Sequence, residues 1–250
     1  MRYKHFPARV LIVVFLILST GSSLAQNNKD SNKVISYIVD LQKQDLQLYW
    51  KDDQGSILGS IERLRQYLNG KQQTLVFAMN GGMYMEDRTP LGLYIQQGRL
   101  ITKLNTSSGY GNFYMKPNGV FYITTDKKAV VCRTQDYKYS KKISFATQSG
   151  PMLVSNGAIH ADFKKGSANV NIRNGVGVLP GNKLLFAMTK EPMNFYDFAD
   201  FFRQQGCLDA LYLDGFVSRT YLPEKQWIQT DGSFGVIIGE VRPKTSGAAR

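Results

Sequence analysis

Between residues 93 and 188 the chain repeatedly sets a short apolar run, a tight turn and a second apolar run in succession. Residues 93–101 turn at Gln97-Gly98, 119–131 at Asp126-Lys127, 151–159 at Asn156-Gly157, and 176–188 at Pro180-Gly181-Asn182. Asn-Gly between apolar arms is a strong hairpin signal, because both residues tolerate the left-handed backbone of a two-residue turn. The middle of the chain is thereby committed to β-hairpins. Residues 34–39, 46–50 and 74–79 add β-branched and aromatic strands before it. Two helices punctuate the pattern. Ser60 caps a helix with Ile61, Leu64 and Leu68 at helical spacing and Gly70 at its end, and Asn194 caps residues 195–205, which stop at Gly206. These elements predict an α+β fold, a single domain of mixed, hairpin-rich β-sheet with a few flanking helices. No low-complexity linker or fixed-period repeat divides it.

The ends read differently. Arg2, Lys4 and Arg9 precede the apolar run 10–18, and Ser23-Leu24-Ala25 supplies small residues for cleavage. Residues 1–25 therefore read as a secretory signal peptide, with an uncleaved anchor as the alternative. Residues 26–33 read as a disordered polar mature start, 34–242 as the folded domain and 243–250 as a polar tail. The expected location is periplasmic or secreted, with no stable membrane span after cleavage. The formal charge is +12, and loss of Arg2, Lys4 and Arg9 with the leader leaves +9. Such a balance suits an anionic partner. The basic residues are dispersed, however, and no nucleic-acid-binding pattern accompanies them. Cys132 and Cys207 are the only cysteines, and an oxidising compartment permits a disulfide between them as readily as two separate buried thiols.

Exclusions narrow the chemistry. Past the leader His160 is the only histidine, so a His-rich zinc site is ruled out. No phosphate-binding loop, His-Glu-x-x-His helix or paired Cys-x-x-Cys is present. Carboxylates, amides, backbone donors and arginine remain. Asp214 follows the apolar residues Leu208, Ala210, Leu211, Tyr212 and Leu213, and burial there would raise its pKa toward a value useful for proton transfer. The same letters also fit a turn with a solvated carboxylate. Ser218 shares that turn. Arg173, ahead of Asn174-Gly175, is suited to hold a phosphate or carboxylate, or else forms a surface ion pair. Asn80-Gly81-Gly82 and Ser149-Gly150 bring amide, hydroxyl and bare backbone to strand ends. His160 ends a hairpin arm, as a substrate contact or a structural histidine. Glu86 and Asp87 are candidates for a second carboxylate. No motif specifies a cofactor; of the metals, calcium suits carbonyls plus Asp214 better than zinc.

Taken in order, Asn80-Gly81-Gly82-Met83-Tyr84, Pro90-Leu91-Gly92-Leu93, Gln148-Ser149-Gly150-Pro151, Arg173-Asn174-Gly175-Val176-Gly177 and Leu213-Asp214-Gly215 with Ser218 resemble the phosphodiester glycosidase family. The resemblance spans roughly residues 75–240. It implies hydrolysis of a sugar-1-phosphodiester, with Arg173 holding the phosphate and Asp214 acting as acid, base or charge stabiliser. Asn80, Gly81, Gly82, Ser149, Gly150, Asn174, Gly215, Ser218 and His160 would line the substrate, a phosphorylated glycan or other anionic sugar. Phe216 and Val217 stand where the family carries glycines, which narrows the space expected beside Asp214. The competing readings are a non-catalytic module binding anionic glycan, which needs Arg173 but no proton-transfer group, and an inhibitor or scaffold protein.

Overall fold

The computed structural model of the chain describes residues 32–215 and 217–244, so residues 1–31, with most of the polar stretch 26–33, Phe216 and the last six residues lie outside it. Strands β1 (Val34–Asp40) and β2 (Asp45–Tyr49) come first. Helix α1 (Ile61–Gly70) follows, with the Ser60 hydroxyl accepting from the Arg63 N–H at 3.2 Å and Ile61, Leu64 and Leu68 buried. After β3 (Gln73–Asn80) come the hairpins β4 (Tyr94–Gln96) with β5 (Arg99–Thr102) and β6 (Gly119–Thr124) with β7 (Ala129–Arg133). Strand β8 (Ile143–Ser149) precedes the hairpins β9 (Met152–Ser155) with β10 (Ala158–Ile159) and β11 (Asn174–Leu179) with β12 (Lys183–Thr189). Helix α2 (Phe195–Gln204) leads to β13 (Asp209–Tyr212), β14 (Thr220–Leu222), β15 (Trp227–Ile228) and β16 (Ile237–Pro243). The four expected turns all form, and Asn156-Gly157 has φ of 50° and 79°, as a tight two-residue turn requires.

Three antiparallel sheets result. The first runs β1-β12-β11-β13-β9-β10, the second β15-β14-β3-β16-β2, and the third β5-β4-β8-β6-β7. Their inner faces meet in one core that includes Val39, Phe77, Phe121, Val176, Phe186 and Leu211. Helix α2 covers the outer face of the first sheet through Phe198 and Phe202, and α1 covers the second through Leu64 and Leu68. Between β3 and β16 the register shifts at Glu240/Val241, so that Leu75 points toward α1 while Phe77 and Met79 point into the shared core.

Several expectations change. Leu208 is 66% exposed rather than part of the buried strand, because it precedes the β13 ladder and lies over the β9–β10 turn. Lys33 is not a loose end: its carbonyl accepts from the Lys190 N–H at 2.8 Å and its ammonium pairs with Glu191 at 2.8 Å. Of the two readings left open for the cysteines, separate thiols is the one found: Cys132 and Cys207 are both free, and burial pushes their pKa values up to about 11 and about 12. Cys207 instead packs beside Gly177 under α2.

Candidate active site

Strand ends from all three sheets converge on the Asp214 turn. From the second sheet, the Asn80 Nδ2 at the end of β3 donates to the Asp214 carbonyl at 2.7 Å. From the third, the Ser149 hydroxyl at the end of β8 donates to the Leu213 carbonyl at 3.0 Å. In the first sheet the Leu213 N–H donates to the Asn174 carbonyl at 3.1 Å, continuing the β11–β13 ladder. The Ser218 hydroxyl closes the turn onto the Gly215 carbonyl at 2.7 Å. Asn80 Oδ1 accepts from the Arg219 N–H and from Asn174 Nδ2 at 2.9 and 3.0 Å, which fixes the orientation of both amides. The remaining acceptor of Asn174, its Oδ1, is buried without a partner among the described residues.

Asn80, Ser149, Asn174 and Ser218 thus hold the backbone of the acid. The glycines have a similar task. A Cβ on Gly82 would sit 2.5 Å from the Gln148 carbonyl, and one on Gly150 would sit 2.5 Å from the Asn118 Cβ. On Gly81 it would meet Val236 at 2.8 Å, and on Gly215 it would overlap the Tyr212 hydroxyl. Protein, not ligand, occupies the space these glycines leave.

The Asp214 carboxyl itself is half-buried, and that burial pushes its pKa up to about 6. Tyr84 and Tyr212 lie near enough for its charge to raise their own pKa values, although burial contributes more. The Tyr84 hydroxyl donates to the Ser233 carbonyl at 2.6 Å. Tyr212 and Asp214, two residues apart at a strand end, point to one side of the sheet; that spacing was the available signal for Tyr212. Tyr84 closes the Asn80–Tyr84 motif that carries the family resemblance, but the motif assigned it no role.

Arg173 is 1% exposed and forms no ion pair among the described residues. The surface-pair reading therefore does not hold. Its Nε donates to the Met193 carbonyl at 2.6 Å and its Nη2 to the Asn169 carbonyl at 2.8 Å. The guanidinium lies 3.6 Å above the Phe195 ring, with Tyr212 on another side, and burial lowers its pKa. Nη1 donates to no carbonyl among the described residues. Phe195 and Asn169, which sequence reasoning did not reach, complete this cradle.

His160 stands apart from the acid. Its Nδ1 accepts from the Asp162 N–H at 3.2 Å, so Nε2 carries the proton and donates to the Lys116 carbonyl at 2.9 Å. It stacks on Phe163, which stacks on Phe195, so it buttresses the arginine cradle from behind. Glu86 and Asp87 are exposed, and the Asp87 carboxylate is occupied by the Thr89 N–H and hydroxyl. Neither joins Asp214. Val217 and Tyr84 each pack against the cluster under α1, while Phe216 lies outside the described residues. No three His, Cys, Asp or Glu side chains come together among the described residues, so a calcium ion would rest on Asp214 and carbonyl oxygens.

The family model described as phosphodiester glycosidase matches residues 73–240, from the start of β3 into β16. The chain belongs to the phosphodiester glycosidase family. That match takes in every strand end that meets at Asp214. An Escherichia coli K12 protein titled uncharacterized protein YigE is 38% identical over 220 residues, covering 88% of this chain and 85% of its own. The fold resembles the zebrafish N-acetylglucosamine-1-phosphodiester alpha-N-acetylglucosaminidase catalytic domain, described as auto-inhibited by its pro-peptide. The TM-score is 0.58 at 16% identity, covering 85% of each chain. A hypothetical protein from Synechocystis shares the fold at TM-score 0.50 and 12% identity, covering 83% of this chain and 59% of that one. No helix among the described residues is long and apolar enough to cross a membrane.

Proposed function

We propose that this phosphodiester glycosidase hydrolyses a sugar-1-phosphodiester, releasing the free sugar and leaving a phosphomonoester. Arg173 carries the reading. Burying a cation without a counter-charge costs several kcal/mol, and two carbonyls, Asn169 Oδ1, the Tyr212 hydroxyl and an aromatic face offset only part of that. An anionic substrate group would supply the missing charge. Tyr212 connects the two halves of the site, since its hydroxyl lies against Gly215 and beside the guanidinium.

In this mechanism Arg173 binds the phosphodiester and orients its glycosidic oxygen. The anomeric C–O bond breaks with its electrons going to the phosphate oxygen, a leaving group stable enough to depart unprotonated. Asp214, ionised above about pH 6, accepts a proton from the water that attacks the anomeric carbon and steadies the developing positive charge. One carboxylate suffices because only the water needs proton transfer. The proposal includes export to the periplasm or beyond by the N-terminal leader.

The test is release of free sugar from a panel of sugar-1-phosphodiesters by wild type, Asp214→Asn and Arg173→Ala. Release by wild type alone supports the assignment. Full turnover by Asp214→Asn removes Asp214 from the mechanism. Binding of phosphorylated glycan without release from any diester would favour the non-catalytic module.

A further inference from the structure

A second feature lies on the far side of Tyr84. A cleft of about 880 Å³ opens between the start of α1, the 51–59 loop, the 84–90 loop and the 230–233 loop. That volume is toward the upper end of ordinary ligand sites, roughly 300–1,000 Å³, and exceeds what a single phosphate occupies. Two links run from it toward the Asp214 turn, one through Tyr84, which lies near enough to feel the Asp214 charge, and one through Arg219 and Asn80. Tyr84 reaches its wall through the Ser233 carbonyl, and Arg219, whose N–H holds Asn80 Oδ1, pairs with Asp231 at 2.8 Å.

The charges in the cleft are unbalanced. Its two acids are engaged: Glu62 with Arg65 at 2.9 Å and Asp231 with Arg219. Asp87, the acid close enough to Lys51 to feel its charge, is taken by Thr89. Lys51, Arg63 and Arg88 line the cleft and form no ion pair among the described residues. Lys51 lies 4.1 Å over the Trp50 ring, and Arg88 donates to the Ser233 hydroxyl. Three cations among hydroxyls suit an elongated, repeatedly anionic ligand.

We infer that this cleft is the aglycone subsite and that it takes a chain of further phosphodiesters, such as a polyol phosphate, on the leaving-group side of the scissile bond. The substrate assignment rests on the hydrolase reading; the binding prediction does not.

Two measurements on the full chain separate them. In the first, binding of a synthetic tri(glycerol phosphate) is compared with that of glycerol phosphate. Wild type should prefer the trimer, and Lys51→Ala/Arg63→Ala should weaken it about tenfold or more. The control Lys141→Ala/Lys142→Ala, which removes the same charge from exposed positions elsewhere, should change it little. Equal weakening by both pairs, or by neither, overturns the subsite. The second measures hydrolysis of a sugar-1-phosphodiester bearing either a neutral or a phosphorylated aglycone. Lys51→Ala/Arg63→Ala should raise KM only for the phosphorylated one. An unchanged KM for both overturns the aglycone assignment even where trimer binding depends on the cleft. Cleft-dependent binding with no hydrolysis of either would instead sink the hydrolase reading and keep the anion site.

Discussion

The Asn80 side chain donates to the carbonyl of Asp214 at 2.7 Å across 134 residues of sequence. Through that bond the end of a strand in one sheet holds the acid at the end of a strand in another. Asn80 is 1% exposed, and its Oδ1 simultaneously takes two N–H donors. Removing it takes the partner from the Arg219 N–H and the closest donor from the Asp214 carbonyl, while Asn174 Nδ2 keeps only the Asn80 backbone carbonyl. Asn80→Ala is expected to destabilise the fold by about 1–3 kcal/mol in urea unfolding. Its hydrolytic loss should appear mainly in kcat, because Asn80 positions the acid and does not touch the phosphate.

Asp214→Asn removes the ionisable group while keeping its shape. Sugar release should fall by about 10²–10⁴-fold, the range for a positioned acid or base. Binding of a phosphorylated sugar, read by calorimetry, should persist because Arg173 is intact.

Acidity should separate the two ionisation states of Asp214. The ionised form is the active one, so kcat/KM should decline as pH falls through about 6, with a slope approaching one pH unit per decade. An acidic limb near 4, the ordinary carboxylate range, would contradict the burial argument.

The same burial has a cost to stability. A carboxyl whose pKa rises from 3.8 to about 6 on folding favours the protonated native state. The folded protein therefore carries a penalty above about pH 6 that is relieved as pH falls toward 3.8. Asp214→Asn should stabilise the fold at pH 7 by about 1–2 kcal/mol, allowing for partial solvent contact. The gain should vanish near pH 4. A variant less stable than wild type at pH 7 would argue against an uncompensated charge.

Two glycines make a matched pair. Gly82→Ala places its Cβ 2.5 Å from the Gln148 carbonyl, which cannot yield without moving β8, and should cost about 1–3 kcal/mol. At Gly70, the last residue of α1, a Cβ meets nothing within 4 Å and φ is not positive. Gly70→Ala should stabilise by about 0.5–1 kcal/mol, read as a rise in Tm.

Local chemistry was legible wherever the signal was local. The hairpin turns at Gln97-Gly98 and Asn156-Gly157 and the caps Ser60 and Asn194 formed where their side chains and backbone preferences dictated. Short strands such as β14 and β15 carry too few residues for a pattern; β14 exists because β3 offers an edge to pair with, and β15 because β14 then offers the next. Leu208 looked buried because an apolar run follows close behind it, yet it falls before the β13 ladder begins and lies over the β9–β10 turn.

The site divides the same way. By itself the sequence determined which groups were available: a single histidine past residue 25, an aspartate ending an apolar strand and an arginine entering another. It also placed amides and glycines at strand ends, but left their roles open, since a glycine that admits ligand and one that admits a neighbouring carbonyl are written alike. Only the tertiary structure turned Asn80, Ser149 and Ser218 into supports of the Asp214 backbone, buried Arg173 without a counter-charge, and set His160 behind Phe163 and Phe195. The reason is that desolvation and hydrogen-bond geometry arise from segments far apart in the chain, and come into being only when three sheets close on one another.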